Sequence, residues 1–273
     1  MASNRLARWF KLVLKTIAIF IVTLTVVSYW YDFETSNSGN ERGCNVAGIE
    51  LHGTMVTYNP KGEDSESTSI IDQTASEDIL TVLENVTDDD TYKGILLEID
   101  SYGGAPVAGE EIADALKKME KPTVALIREG GVSAAYLAAS GADYIVASRN
   151  SDVGGIGVTQ SYVDNVQKNQ RDGLTYNELR SATFKDAGDP DKPLTDDERK
   201  LFERDLTVIH DNFVQAVSDN RKIDLGTVRR LADGSSMLGA MAMENKLIDK
   251  LGSLDEAKNY LYAQIGEVPK VCW

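Results

Sequence analysis

The chain has 273 residues, of which 42% are hydrophobic and 26% charged, and its formal net charge is −15. That length holds one large domain or two small ones with a sizeable core. An acidic chain repels phosphate backbones, which argues against a nucleic-acid partner. Two cysteines without a CxxC spacing argue against a zinc site, and no cofactor or metal is expected.

The basic residues are not spread evenly. Arg5, Arg8, Lys11 and Lys15 cluster ahead of "TIAIFIVTLTVVSYWY", residues 16–31, which carries no charge. With Leu12 to Leu14 in front and Lys15 snorkelling, the apolar run reaches roughly 20 residues, enough to cross a bilayer. Trp9 and Phe10 on one side and Tyr29, Trp30 and Tyr31 on the other form aromatic belts. The expected layout is a cytoplasmic segment 1–11, a single anchor 12–31, a polar linker 32–44 and a body outside the cytoplasm of the cell (inner) membrane. A cleaved signal peptide would need small residues after the run, and "SYWYDFE" is bulky. Cys44 and Cys272 bracket the body. They could pair in an oxidising compartment or stay as free thiols.

After the linker, "NVAGIELHGTMV" (45–56) alternates as a first strand, and "NPKGEDSESTS" is a loop. "SEDILTVLENVTDD" places Ile79, Leu80, Leu83 and Val86 at helical spacing, with Ser76 as N-cap. "YKGILLEIDS" (92–101) is a near-continuous apolar strand, the pattern of a sheet buried on both faces. "AGEEIADALKKME" is an amphipathic helix, "KPTVALIR" a buried strand, "SAAYLAAS" an alanine-rich helix and "DYIVAS" a further strand. The alternation implies βαβ units around a mostly parallel sheet, an α/β fold. The long helix of 195–221 carries Phe202, Leu206, Ile209, Phe213 and Val217 on one face, and short helices end the chain. There is no internal repeat, so 45–265 reads as one domain and 266–273 as a tail.

The chemistry centres on "REGGVSAAYLAAS". A tight turn at Gly130–Gly131 is expected to project a serine, Ser133, between a strand and a helix of small residues. A serine needs a base to act as a nucleophile at neutral pH. The chain has two histidines. His52 sits in the first strand, and His210 lies beside the apolar stripe of a long helix, where a structural role is the commoner one. The alternative base is a lysine, which works as the neutral amine. Lys185 in "SATFKDAGDP" is the one that stands out, though chemistry by itself does not select it from the other basic residues. An oxyanion hole needs backbone N–H groups at a strand-to-helix turn. "IDSYGGAPVAGEEI" offers Gly103 and Gly104, and the N–H of Ala134 opens the helix after Ser133.

Four stretches, "GILLEIDSYGGAPVAGEEI", "KPTVALIREGGVSAAYLAASGADYIVAS", "SATFKDAGDPDKPLTDDERKLF" and "LADGSSMLGAMAMENKLIDKLGSLDEA", occur in the order found in the signal peptide peptidase A (SppA) family. Over roughly residues 45–265 the chain resembles the short, single-domain form of that family. The resemblance implies a ClpP/crotonase-like fold and a serine endopeptidase with a Ser–Lys dyad. Ser133 matches the nucleophile, Lys185 the general base, and Gly103 or Gly104 with Ala134 the oxyanion hole. It also implies cleavage of remnant signal peptides or other membrane-associated peptides. Short members are similar to a ring on the membrane, in which one subunit's lysine completes its neighbour's site.

The chain departs from the family pattern in three places. Ser133-Ala134-Ala135 stands for Ser-Gly-Gly, and Tyr102 stands for a proline in "SYGG". Gly155 in "VGGIGV" stands where a hydroxyl residue holds the lysine; Ser151, Thr159, Ser161 or a water would take that role. The competing readings are an impaired, membrane-anchored scaffold of the same fold, an α/β-hydrolase using Ser133 and His210, and an acyl-CoA-binding crotonase, against which the anchor and Lys185 argue.

Overall fold

The computed structural model describes residues 21–28, 43–59 and 72–273. Residues 21–28 are helical (α1), and the rest of the expected anchor lies outside the described residues. Among the described residues no helix is long and apolar enough to cross a membrane. The body is Asn45–Trp273.

The body contains β1 (Val46–His52), β2 (Thr54–Val56), β3 (Gln73–Ala75), α2 (Ser76–Asp88), β4 (Gly94–Ser101), α3 (Pro106–Lys118), β5 (Thr123–Val132), α4 (Ala134–Ser140), β6 (Tyr144–Ala147) and β7 (Asp152–Gly154). These are followed by α5 (Val166–Arg171), α6 (Asp196–Arg221), α7 (Leu225–Leu231), β8 (Ser236–Leu238), α8 (Gly239–Glu244), β9 (Lys250–Leu251), α9 (Leu254–Ile265) and β10 (Val271–Cys272). The main sheet has the order β10-β1-β4-β5-β6-β9 with every pair parallel. β7 joins the far end of β5 in parallel, and β8 pairs antiparallel with β7. This is the α/β architecture that the apolar runs at 94–101 and 123–127 imply.

Both faces of the sheet are covered, which explains why those runs hardly alternate. Ile95, Leu97, Ile99, Ala125 and Ile127 face Ile79 and Leu83 of α2, Ile112 and Leu116 of α3, and the alanines of α4. On the other side Val46, Leu96, Val124, Leu126 and Val146 pack under Ala257 and Leu261 of α9. Small residues let α3 and α4 approach closely. A methyl at Gly109 would lie 2.5 Å from the carbonyl oxygen of Ala134.

Several expectations need correction. The first strand breaks at Gly53, whose φ is +66°, so its second half pairs with β3 in a separate two-stranded sheet. Ser76 is the first helical residue rather than the N-cap, which is Ala75. Its hydroxyl turns inward to the carboxylate of Glu111 instead. The short strands β7 to β10 carry too few residues for a period-2 pattern and escape the sequence reading. Cys44 and Cys272 are both disulfide-bonded, so the paired alternative describes them.

The long α6 divides in two. Phe213, Val214 and Val217 in its second half are buried, whereas Phe202, Leu206 and Ile209 in the first half are only half-buried. A capping box of Thr195 and Glu198 starts the helix. The Glu198 carboxylate also receives the Lys192 ammonium. That bond and the Thr195 N–H hold the carboxyl down to about 2. Because the folded value lies below the unfolded one, this stabilisation is complete above the ordinary glutamate range and is lost as pH falls toward 2. Glu198→Gln is expected to destabilise the body at pH 7, because the Lys192 ammonium and the Thr195 N–H lose a charged acceptor. The deficit should shrink between pH 4.5 and 2 in denaturant unfolding. An equal deficit at both ends of that range would contradict the assignment.

Candidate active site

Ser133 lies between β5 and α4, but the turn is not where the glycines suggest. Gly130 and Gly131 are inside β5, paired with β7. They are small because neighbours press on them. A methyl at Gly131 would meet the Ile127 side chain at 2.8 Å, and one at Gly130 the Tyr102 ring at 3.0 Å. The chain reverses at Ser133 itself, with φ 57° and ψ −127°. A non-glycine residue there costs on the order of 1–3 kcal/mol and persists only when its surroundings hold it. They do so here: the Ser133 N–H donates to the Gly154 carbonyl (2.8 Å), and the Ser133 carbonyl accepts the Leu137 N–H (3.0 Å). The side chain is half-buried, in a sharp strand-to-helix turn. The Ala134 N–H next to it is the first of the helix and lies outside the helix's own bonding.

The β4–α3 turn packs against this serine. A methyl at Gly103 would lie 2.9 Å from Ser133 Cβ and 3.0 Å from the Ala134 nitrogen. Gly103 and Gly104 have φ of +99° and +154°. The turn is tied to β2 on its other side: the Gly103 carbonyl accepts the Met55 N–H (3.0 Å), and the Ala105 N–H donates to the Met55 carbonyl (2.9 Å). In a trans peptide the N–H points opposite to the carbonyl. The 103–104 peptide therefore turns its carbonyl to β2 and the Gly104 N–H away from it. The Gly103 N–H is occupied differently, donating to the hydroxyl of Ser101 (3.1 Å). The pair left open as Gly103 or Gly104 thus divides: Gly103 gives close approach to Ser133, and Gly104 has the amide free of β2. Ser101 and Met55, which hold this turn, are not singled out by the sequence. The one signal was a small polar residue at the end of a buried strand.

Lys185 is exposed, and among the described residues its ammonium bonds neither Ser133 nor any carboxylate. It lies in a stretch, 157–197, in which no residue is buried. Leu179 is 99% exposed there, and Val163, Leu174 and Phe184 are exposed too. The histidines have other occupations. His210 Nε2 donates to the Ala232 carbonyl (2.9 Å), and His52 Nε2 lies 3.6 Å from Glu98, which pairs with Arg128 at 2.9 Å. Neither histidine bonds Ser133, so the hydrolase arrangement has no geometric support.

Of the hydroxyls near the glycine pair, Ser151 is taken. It is buried, accepts the Ser148 N–H (3.0 Å) and donates to the Arg128 carbonyl. Thr159 and Ser161 are exposed. A side chain at Gly155 would meet Val132 Cγ1 at 2.4 Å, so the neighbouring valine fills the place of the missing hydroxyl residue. A cavity of about 480 Å³ lined by Glu120, Pro122, Asp143, Tyr260 and Gln264 lies at the opposite ends of β5 and β6 from Ser133. Among the described residues no cluster of His, Cys, Asp and Glu is placed to hold a metal.

A strained serine between a parallel strand and a helix, faced by a diglycine turn, can present a hydroxyl beside backbone N–H donors. Comparison with known proteins shows the family. The Clp protease family profile matches residues 66–153, and that of peptidase family S49 matches residues 115–266. The chain belongs to peptidase family S49. Its relatives include a putative signal peptide peptidase SppA of Enterococcus faecium, 30% identical over 68% of this chain and 55% of that one. A putative protease of Methanocaldococcus jannaschii is 29% identical over 65% of this chain and 58% of its own, and Protease 4 of Haemophilus influenzae is 28% identical over 78% and 34%. The chain thus spans between a third and three-fifths of the lengths of these relatives. A ClpP1 mutant from Listeria monocytogenes aligns over 76% of this chain and 91% of its own at 12% identity, with a TM-score of 0.46.

Proposed function

We propose that the chain is a membrane-anchored serine endopeptidase that cuts remnant signal peptides or other membrane-associated peptides, with Ser133 as nucleophile and Lys185 as general base. The observation that carries this reading is the left-handed Ser133 turn with Gly103 against it and the Ala134 N–H beside it. Ser133 Oγ attacks the scissile carbonyl while the neutral lysine amine takes its proton. The carbonyl oxygen becomes an oxyanion, held by the N–H groups of Ala134 and Gly104. The lysine returns the proton to the departing amine, leaving an acyl-enzyme on Ser133. Water then adds to the ester, giving up a proton to the lysine, and the acid product leaves as Ser133 recovers its hydrogen.

Because Lys185 is exposed and lies apart from the core, the site is completed by a neighbouring copy of the chain in a closed ring. The basic flank and apolar run support a body outside the cytoplasm, and the disulfide-bonded cysteines fit an oxidising compartment. The full chain in detergent is expected to cleave a signal-peptide substrate, and Ser133→Ala to lower the rate by at least about a thousandfold. Protease added to intact spheroplasts should digest the body. Turnover by Ser133→Ala near that of the wild type would refute the nucleophile, and protection of the body until lysis would refute the topology.

A further inference from the structure

We propose that Ser101 is a positioning residue of the peptidase reaction, its hydroxyl holding the Gly103 amide so that the diglycine turn stays ordered beside Ser133 and presents the Gly104 N–H to the oxyanion. The inference rests on Ser133 being the nucleophile. Ser101 ends β4, and its residue is 1% exposed. Its hydroxyl donates to the Gly53 carbonyl (2.6 Å) and accepts the Gly103 N–H (3.1 Å). A single side chain therefore links the β1–β2 turn to the β4–α3 turn.

Both glycines at the ends of this link hold conformations that are open to many alternatives once the restraint goes. Gly53 and Gly103 have φ of +66° and +99°. A diglycine segment has wide backbone freedom, and its loss on ordering is unfavourable. Two backbone bonds to Met55 fix the 103–104 peptide and Ala105. They do not fix the preceding peptide. Only the Ser101 hydroxyl engages the Gly103 N–H, and with it the rotation of the 102–103 peptide. With that amide committed, the donor this turn can offer to Ser133 is the Gly104 N–H, which faces away from β2. The hydroxyl acts as an acceptor toward the turn and a donor toward Gly53, a combination that neither alanine nor a carbonyl can supply.

Removing an oxyanion donor outright costs about 10²–10³ in kcat. Freeing the Gly103 amide loosens the turn and leaves the Gly104 donor in place, so deleting the Ser101 hydroxyl should cost less, about tenfold to a hundredfold. The effect should fall on the transition state and leave ground-state peptide binding alone.

The test uses the full chain in detergent and compares the wild type with Ser101→Ala, Ser101→Cys and Ser101→Thr, with Ser133→Ala as a reference. The readouts are kcat, KM and inhibition by a peptide aldehyde, whose hemiacetal oxygen occupies the oxyanion position. The expected result for Ser101→Ala is a tenfold to hundredfold fall in kcat with KM within twofold. The aldehyde should weaken in proportion to the loss in kcat/KM. Ser101→Thr should recover most of the rate, because the hydroxyl is restored. If Ser101→Ala does not fold, Ser101→Cys, similar in size with a weak donor, is expected to show the same pattern to a smaller degree. An unchanged kcat, a loss confined to KM, or an unchanged aldehyde affinity would overturn the proposal. If Ser133→Ala is inactive while Ser101→Ala is normal, only the Ser101 role falls. If Ser133→Ala stays active, the nucleophile assignment falls and the Ser101 role with it.

Discussion

A Lys185→Arg chain is expected to fold and assemble like the wild type and to hydrolyse no peptide, yet to regain activity when mixed with equally inactive Ser133→Ala chains. Arginine keeps the charge and much of the length of lysine but cannot give up its proton, so it cannot serve as a base. The exposed position of Lys185 makes a folding defect an unsuitable explanation for the loss, since substitutions at such sites stay within about 0.5 kcal/mol. The recovery on mixing follows from the stretch 157–197, which carries Lys185 on a segment without a buried residue. Exposed Val163, Leu174, Leu179 and Phe184 in that segment are an uncommon load of apolar surface, of the kind that marks an interface. In a head-to-tail ring of randomly exchanged subunits at equal ratio, about one boundary in four joins an intact Ser133 to an intact Lys185. Activity should therefore return to about a quarter of the wild-type level. Absence of recovery despite demonstrated subunit exchange, or full activity in a monomeric fraction, would place both groups of the dyad within one chain.

The second large effect is expected at Gly103. Gly103→Ala should lower kcat/KM by at least about a hundredfold, because the methyl would be driven into the reacting centre. It would lie 2.9 Å from Ser133 Cβ and 3.0 Å from both the Ala134 nitrogen and the Val132 carbonyl oxygen, and two of these three are backbone atoms with little room to yield. The φ of +99° adds strain for any L side chain. Gly173→Ala is the control. Its φ is +71°, but nothing lies within 4 Å of the added methyl, so only the backbone strain remains. Gly173→Ala should lower thermal stability slightly and leave kcat/KM unchanged. Comparable losses of kcat/KM in both variants would show that the loss at Gly103 is not local to Ser133.

Apolar runs too continuous for a half-exposed strand made the doubly covered parallel sheet legible in residues 94–101 and 123–127, because burial on both faces removes the alternation. Helices α2, α3 and α6 were legible for the complementary reason, that one buried stripe recurs every three or four residues. Ser133 and the diglycine turn stood out because small residues at a strand-to-helix junction are a local feature. What the sequence could not carry was contact between distant segments. The reversal at Ser133 rather than Gly130–Gly131 depends on the Gly154 carbonyl that holds the Ser133 N–H. The commitment of Ser151 to the backbone of β5, and of His210 to the Ala232 carbonyl, removed two candidates that residue type alone kept open. Gly155 lacks a side chain because Val132 occupies its space, a fact visible only once β5 and the loop after β7 lie side by side. The role of Ser101 arises in the same way, since Gly53 is 48 residues away in the chain and 2.6 Å away in space. Local periodicity follows from which face each residue buries, and a sequence displays that directly. Hydrogen-bond partners and close approaches are set by how the β1–β2, β4–α3 and β5–α4 turns meet at one end of the sheet, and only the tertiary structure decides that.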